Sequence, residues 1–196
     1  MAVRRLLLTG SSGGIGSAVL KAAREEGFEV HEVNRPEWAA LSRGEALFPG
    51  VSFDAVVYAT GCCPVRPLTQ LDEATWLETM EANCGLFVRL MRSLAKEGRF
   101  AARGAKVVAI SSVSATEGWA GGSAYCASKG ALSAVCRALD AELRARRVSV
   151  AAIEPRHVKT RMFDACAGRM GVPESQAEDP AALARRVVDL IGGQAE

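Results

Sequence analysis

The first 33 residues constrain the fold of this chain more than any other stretch. An apolar run at residues 3–8 leads directly into Thr9-Gly10-Ser11-Ser12-Gly13-Gly14-Ile15-Gly16, and residues 17–26 follow with helical periodicity. Gly27 then stops the helix as a C-terminal cap, and residues 28–33 read as a second strand. A strand, a tight turn, a helix and a second strand within about 30 residues form one βαβ unit, whose strands run parallel. Glycines let the backbone turn sharply and let a phosphate approach it, while a helix beginning near Gly14 directs free N–H groups and the positive end of its dipole at that point. Gly10, Gly14 and Gly16 would cradle a dinucleotide pyrophosphate. A plain βα turn would use the same glycines, and their spacing departs from the commoner G-x-G-x-x-G pattern.

The rest of the chain repeats the alternation. Residues 54–61 read as a buried strand with its turn, 105–110 as another and 148–153 as another. Helices are expected over 73–97, 123–146 and about 180–191. Residues 36–52 hold the breakers Pro36, Gly44, Pro49 and Gly50 and leave room for at most a stub of strand or helix. The stretch 156–179, with Gly168, Gly171 and Pro173, lacks strong periodicity and reads as a flap over a substrate. These pieces predict a single α/β domain over 1–196, a three-layer doubly wound parallel sheet of about six strands with ligands at the carboxyl ends of the strands.

Composition narrows the function classes. With 49% hydrophobic and 23% charged residues in 196, the chain suits one soluble domain. A formal charge of +2 gives no field for nucleic acid, and no stretch approaches a membrane span. The apolar start resembles a leader only briefly, because the glycine-rich turn ends it too early. Six cysteines without Cys-x-x-Cys spacing and only two histidines argue against a metal site and for reduced thiols in the cytoplasm.

The chemistry gathers around residues 111–129. Tyr125 and Lys129 lie four apart on a helix and project from one face, and an ammonium beside a phenol favours the phenolate over its ordinary pKa of about 10. Such a tyrosine exchanges a proton near neutral pH. Ser112 ends the strand 105–110, where its hydroxyl can meet a substrate carbonyl oxygen. A Tyr-x-x-x-Lys pair alone also describes ordinary helix-surface neighbours. Asn83 interrupts an apolar helix face and needs either a packing partner or a task. At the end of the second strand stand Asn34 and Arg35, with no carboxylate before Glu37. A guanidinium there accommodates a 2′-phosphate and favours NADP(H) over NAD(H), although a surface arginine is also at home at a strand end.

Taken together, these residues resemble the short-chain dehydrogenase/reductase family of the classical single-domain type, over most of the length. Thr9-Gly10-x-x-x-Gly14-x-Gly16 resembles its cofactor turn, Asn83, Ser112, Tyr125 and Lys129 its catalytic tetrad, and Pro155-x-x-Val158-x-Thr160 the loop after its sixth strand. The resemblance implies a Rossmann fold and pro-S hydride transfer between nicotinamide and a carbonyl or alcohol. Tyr125 is then acid or base, Ser112 orients the substrate oxygen, and Lys129 lowers the tyrosine pKa and holds the ribose. Asn83 positions a water between Lys129 and solvent. Ser12 and Ile15 join the glycines, while Ala59, Thr60, Gly61, Val158 and Thr160 line the nicotinamide half.

Three departures stand out. Tyr58-Ala59-Thr60-Gly61 replaces the family's Asn-Asn-Ala-Gly, Arg156 replaces a glycine, and the third strand is shortened. The chain also stops where a seventh strand would begin, which implies a homodimer through helices 73–97 and 123–146. Trp119, Cys62, Cys63, Met162 and Phe163 are candidates for a substrate pocket, each equally plausible as packing. Two further readings stand: a catalytically silent NADP(H)-binding regulator, and an epimerase or dehydratase on the same fold.

Overall fold

A computed structural model describes residues 3–170 and 173–193. Its elements are β1 (Arg4–Thr9), α1 (Gly14–Glu25), β2 (Phe28–Val33), α2 (Arg35–Ser42), β3 (Ala55–Tyr58), α3 (Glu73–Met80), α4 (Leu86–Lys96), β4 (Ala105–Ile110), α5 (Ser123–Leu143), β5 (Val148–Ile153), α6 (Arg161–Met170) and α7 (Pro180–Gly192). The strands pair in the order β2-β1-β3-β4-β5, all parallel.

Side chains alternate across this sheet with period two, so each strand feeds two cores. Leu7, Val56, Tyr58, Val107 and Ala109 face α4 and α5, meeting Phe87, Leu90, Met91, Leu94, Leu132 and Cys136. Leu6, Leu8, Ala55, Val57, Val108 and Ile110 face α1 and α7, meeting Val19, Ala23, Leu183, Val187 and Ile191. Burial on both faces explains why the strands read as continuous apolar runs. The doubly wound architecture is the expected one, and its parallel sheet flanked by helices is Rossmann-like.

The described residues form five strands rather than about six. After β2 the chain enters α2 at once, the Asn34 amide donating to Glu37 Oε2 at 2.8 Å to close the first turn. The loop that follows is held from across the sheet, with Arg99 Nη1 donating to the carbonyls of Phe48 (3.1 Å) and Val51 (3.0 Å). A buried guanidinium thus does the organising that a third strand's ladder would do.

The helix expected over 73–97 is interrupted. α3 and α4 are joined by a π-helical turn at Glu81–Gly85 that carries Asn83. The segment 156–179, expected as a flap without regular structure, contains α6, whose Phe163 and Cys166, one turn apart, are buried. Two buried residues one turn apart are too short a period to read from sequence. Gly171, one of the breakers named there, lies outside the described residues.

Candidate active site

The turn after β1 is a cradle shaped by missing side chains. Gly10 sits at φ +71°, and a Cβ there would stand 2.6 Å from the Ala59 carbonyl carbon; one on Gly16 would stand 2.0 Å from Gly10 O. A Cβ on Gly14 would strike Thr160 Cγ2 at 2.5 Å, so the turn also abuts the loop after β5. Gly13 N–H closes the turn on Gly10 O at 2.9 Å, and the first amides of α1 beyond it point out of the sheet's carboxyl edge. The backbone therefore offers the close, donor-rich surface that a pyrophosphate requires. Thr60 Oγ1 is buried without a hydrogen-bond partner and lies on the neighbouring cavity wall, a polar group waiting for a polar ligand atom. Both observations fit a dinucleotide. Asn34 and Arg35 emerge at the carboxyl end of β2, next to the cradle, and are exposed.

A cavity of about 300 Å³ opens at the carboxyl ends of β3, β4 and β5. Ser112, Tyr125 and Lys129 line it, as do Ile15, Ala59, Thr60, Gly61, Pro155, Val158 and Thr160. Ser12 is exposed, and Gly10, Gly14 and Gly16 lie beyond the cavity wall toward β2. Of the residues read as substrate-facing, Trp119, Cys63, Met162 and Phe163 face the cavity and Cys62 does not.

Tyr125 and Ser112 face the same cavity, near enough for the Ser112 hydroxyl to act on the phenol, and Ser112 Oγ accepts from Ser114 N at 3.1 Å. Lys129 Nζ stands 5.7 Å from the centre of the Tyr125 ring and donates to Ile110 O at 2.8 Å. Ser112 thus arrives from the end of β4, and Tyr125 and Lys129 from one turn of α5. The pair does face one way, but the expected electrostatics differ. Burial, then proximity to the Cys63 thiol, pushes the Tyr125 pKa above its ordinary value, against the lowering effect of the Ser112 hydroxyl. Lys129 is itself pushed down to about 8 by burial and is tied to a backbone carbonyl, so it does not pull the phenol down here.

Asn83 is fully buried behind the cavity wall. Its Oδ1 accepts from Cys62 N at 2.8 Å, and its Nδ2 donates to Cys62 O at 2.9 Å and to Ser128 Oγ at 2.8 Å. Ser128 in turn donates to Tyr125 O at 2.7 Å. Both amide hydrogens are taken by protein, so the side chain has no donor left for the water expected of it. It is a clasp joining the loop after β3 to α5.

The π-turn frees backbone carbonyls, and the Tyr58 hydroxyl donates to one of them, Ala82 O, at 2.6 Å. Thr9 Oγ1 accepts from Ala59 N (3.1 Å) and Thr60 N (3.3 Å). Together Tyr58 and Thr9 supply the fixing that the absent asparagines would have given. Neither partner is close in sequence, and the only signal was the substitution of Tyr58 itself. At the cavity rim Arg156 forks onto Glu117, at 2.9 and 2.7 Å, linking the loops after β4 and β5. No cluster of three or more possible metal ligands occurs among the described residues.

The family described as short chain dehydrogenase matches residues 39–169. L-xylulose reductase from Bos taurus is 30% identical over 186 residues, covering 84% of this chain and 76% of that protein. The 3-oxoacyl-[acyl-carrier-protein] reductase FabG of Vibrio cholerae is 26% identical over 228 residues, covering 96% and 92%. Among solved structures, a short chain dehydrogenase family protein from Francisella tularensis superposes with a TM-score of 0.84 at 19% identity, over 99% of this chain and 93% of that one. With the family matched over more than half of the chain and a relative at 30% identity, the chain belongs to the short-chain dehydrogenase/reductase family.

Proposed function

We propose that this chain is an NADP(H)-preferring oxidoreductase that reduces a carbonyl, or oxidises the matching alcohol, with Tyr125 as general acid or base. The observation that carries the reading is the convergence of Ser112, Tyr125 and Lys129 on one cavity beside a tight glycine turn that opens into a helix N-terminus. The bound nicotinamide would supply or accept the hydride. Gly10, Ser12, Gly14, Ile15 and Gly16 would hold its pyrophosphate on the amides of α1. Ala59, Thr60, Gly61, Pro155, Val158 and Thr160 would line the nicotinamide half. Ser112 Oγ and the Tyr125 hydroxyl, lining one cavity, form a pair that can bind one substrate oxygen and exchange a proton with it. Lys129 contributes charge at the ribose side, and Asn83 positions α5 through Ser128. A cavity of this size, at the small end for ligand sites, admits a modest substrate with an apolar flank against Trp119, Met162 and Phe163.

Arg35 is the proposed 2′-phosphate ligand, supported by its place at the end of β2 and by its exposure. The test is NAD(P)H oxidation by purified protein against a panel of aldehydes, ketones and quinones, run with Arg35→Ala in parallel. Turnover is expected with the parent, and the variant should lose about 10- to 100-fold in kcat/KM for NADPH with little change for NADH. Equal losses for both cofactors would refute the phosphate reading. Tight NADPH binding without turnover on any substrate would favour the silent regulator.

A homodimer through the outer faces of α4 and α5 belongs to the same proposal. It is supported by the exposed Val88 and by a groove where Val88 and Met91 face Val135 and Leu139. Val88→Asp is expected to sediment as a monomer where the parent sediments as a dimer. A cytoplasmic location is proposed from the six free cysteines; among the described residues, no helix is long and apolar enough to cross a membrane.

A further inference from the structure

Two of the cysteines meet where the mechanism does not need them. Cys63 lies in the loop after β3 and Cys166 on α6, 103 residues apart, and both line the cavity that holds Tyr125. Cys166 Sγ donates to Cys63 O at 3.5 Å, and Cys166 lies close enough to Cys63 to raise the pKa of its thiol. Cys62, the chain neighbour of Cys63, has its backbone fixed by the Asn83 clasp and stays off the cavity wall.

We propose that Cys63 and Cys166 form a dithiol modification site, converted to an intramolecular disulfide by a low-molecular-weight disulfide that enters the substrate cavity. Cys63 is the more exposed of the two and attacks first. Its sulfur bonds to one sulfur of the oxidant, the oxidant's S–S bond breaks, and one small thiolate leaves. Cys166 then attacks the Cys63 sulfur of this mixed disulfide and expels the second small thiolate. The two cysteines are oxidised, one disulfide is reduced to two thiols, and the two protons lost by the cysteines end on those thiols.

Burial holds the Cys63 thiol above its ordinary pKa, so the thiolate fraction is small and the exchange is slow. The site therefore answers the standing redox poise rather than a brief pulse of oxidant. Closure ties α6 to the β3 loop along the cavity wall, and substrate entry falls. This last consequence rests on the oxidoreductase reading above; the disulfide itself does not.

The test equilibrates the full-length protein at mildly alkaline pH with mixtures of reduced and oxidised glutathione, then quenches it with a maleimide for peptide mass spectrometry. The expected result is loss of two of the six thiols in one step, recovered as a Cys63–Cys166 cross-linked peptide and reversed by dithiothreitol. Cys166→Ser should stop at a glutathione adduct on Cys63, and Cys126→Ser should cross-link as the parent does. A Cys62–Cys63 cross-link, independent adducts on both cysteines, or no loss of thiol at any poise would overturn the proposal. In the activity arm, the cross-linked protein is expected to lose kcat/KM at least tenfold and regain it with dithiothreitol. Full activity in the cross-linked state overturns the gating, and absence of turnover in both states counts against the oxidoreductase assignment while the mass result still decides the disulfide.

Discussion

Replacing Tyr125 by phenylalanine is expected to lower turnover about 10²- to 10⁴-fold, the usual contribution of a positioned general acid or base, and to leave NADPH binding essentially unchanged. The variant keeps the ring that packs against Trp119 at a centroid distance of 6.4 Å and the ring face that Lys129 addresses. It deletes only the hydroxyl, which lines the cavity beside Ser112. The phenol sits high in pKa before anything binds beside it, because burial dominates, so the protonated form is the resting form at neutral pH. That suits donation to a carbonyl oxygen in the reductive direction. Oxidation of an alcohol needs the phenolate, and its rate should rise with pH through the neutral range and beyond. The check is single-turnover kinetics on the best substrate of the panel, with NADPH affinity measured by fluorescence. Wild-type rates in the variant would remove Tyr125 from the chemistry, and an equal loss of cofactor binding would make its role structural.

Much of the fold was legible because parallel strands buried on both faces leave a plain record. Residues 3–8, 28–33, 105–110 and 148–153 fall on β1, β2, β4 and β5 almost residue for residue. The glycines at 10, 14 and 16 were legible for a different reason: each meets a backbone or side-chain atom that forbids a Cβ. Ser112, Tyr125 and Lys129 were found by order and spacing, and one cavity contains all three. What escaped depends on contacts between distant residues. Local pattern cannot show that Arg99 gathers the carbonyls of Phe48 and Val51, or that a phenol at position 58 accepts the task of fixing a π-turn at 82. Asn83 was identified as a polar residue on an apolar face, yet its partners, Cys62 and Ser128, lie 21 and 45 residues away. The sequence expects it to position a water, whereas both amide hydrogens go to Cys62 O and Ser128 Oγ. α6 was missed because its buried side, Phe163 and Cys166, spans a single turn.

Lys129→Met is expected to raise the stability of the protein at pH 7 while reducing turnover about 10²-fold or more, as removal of a preorganised charged donor does. Lys129 is only 5% exposed, and burial lowers its pKa from 10.5 to about 8. That difference places about 3 kcal/mol of penalty on the charged form in the folded state. The sign follows from proton binding. Between pH 8 and 10.5 the unfolded chain holds a proton on this lysine and the folded chain does not, so stability from this group rises with pH across that window and the penalty is complete below it. Methionine removes the penalty and keeps the buried stem, but it leaves Ile110 O without its 2.8 Å donor, at a cost of about 1–3 kcal/mol. The net gain at pH 7 is about 1 kcal/mol. It should shrink with rising pH and reverse at about pH 9, where about half of the penalty has gone and the neutral lysine still donates its hydrogen bond. Urea denaturation of parent and variant at several pH values measures the crossing. A variant less stable by the same amount at every pH would mean that the ammonium is not strained by burial. A crossing with lost turnover would identify Lys129 as a charge kept in the cavity wall for function at the expense of stability.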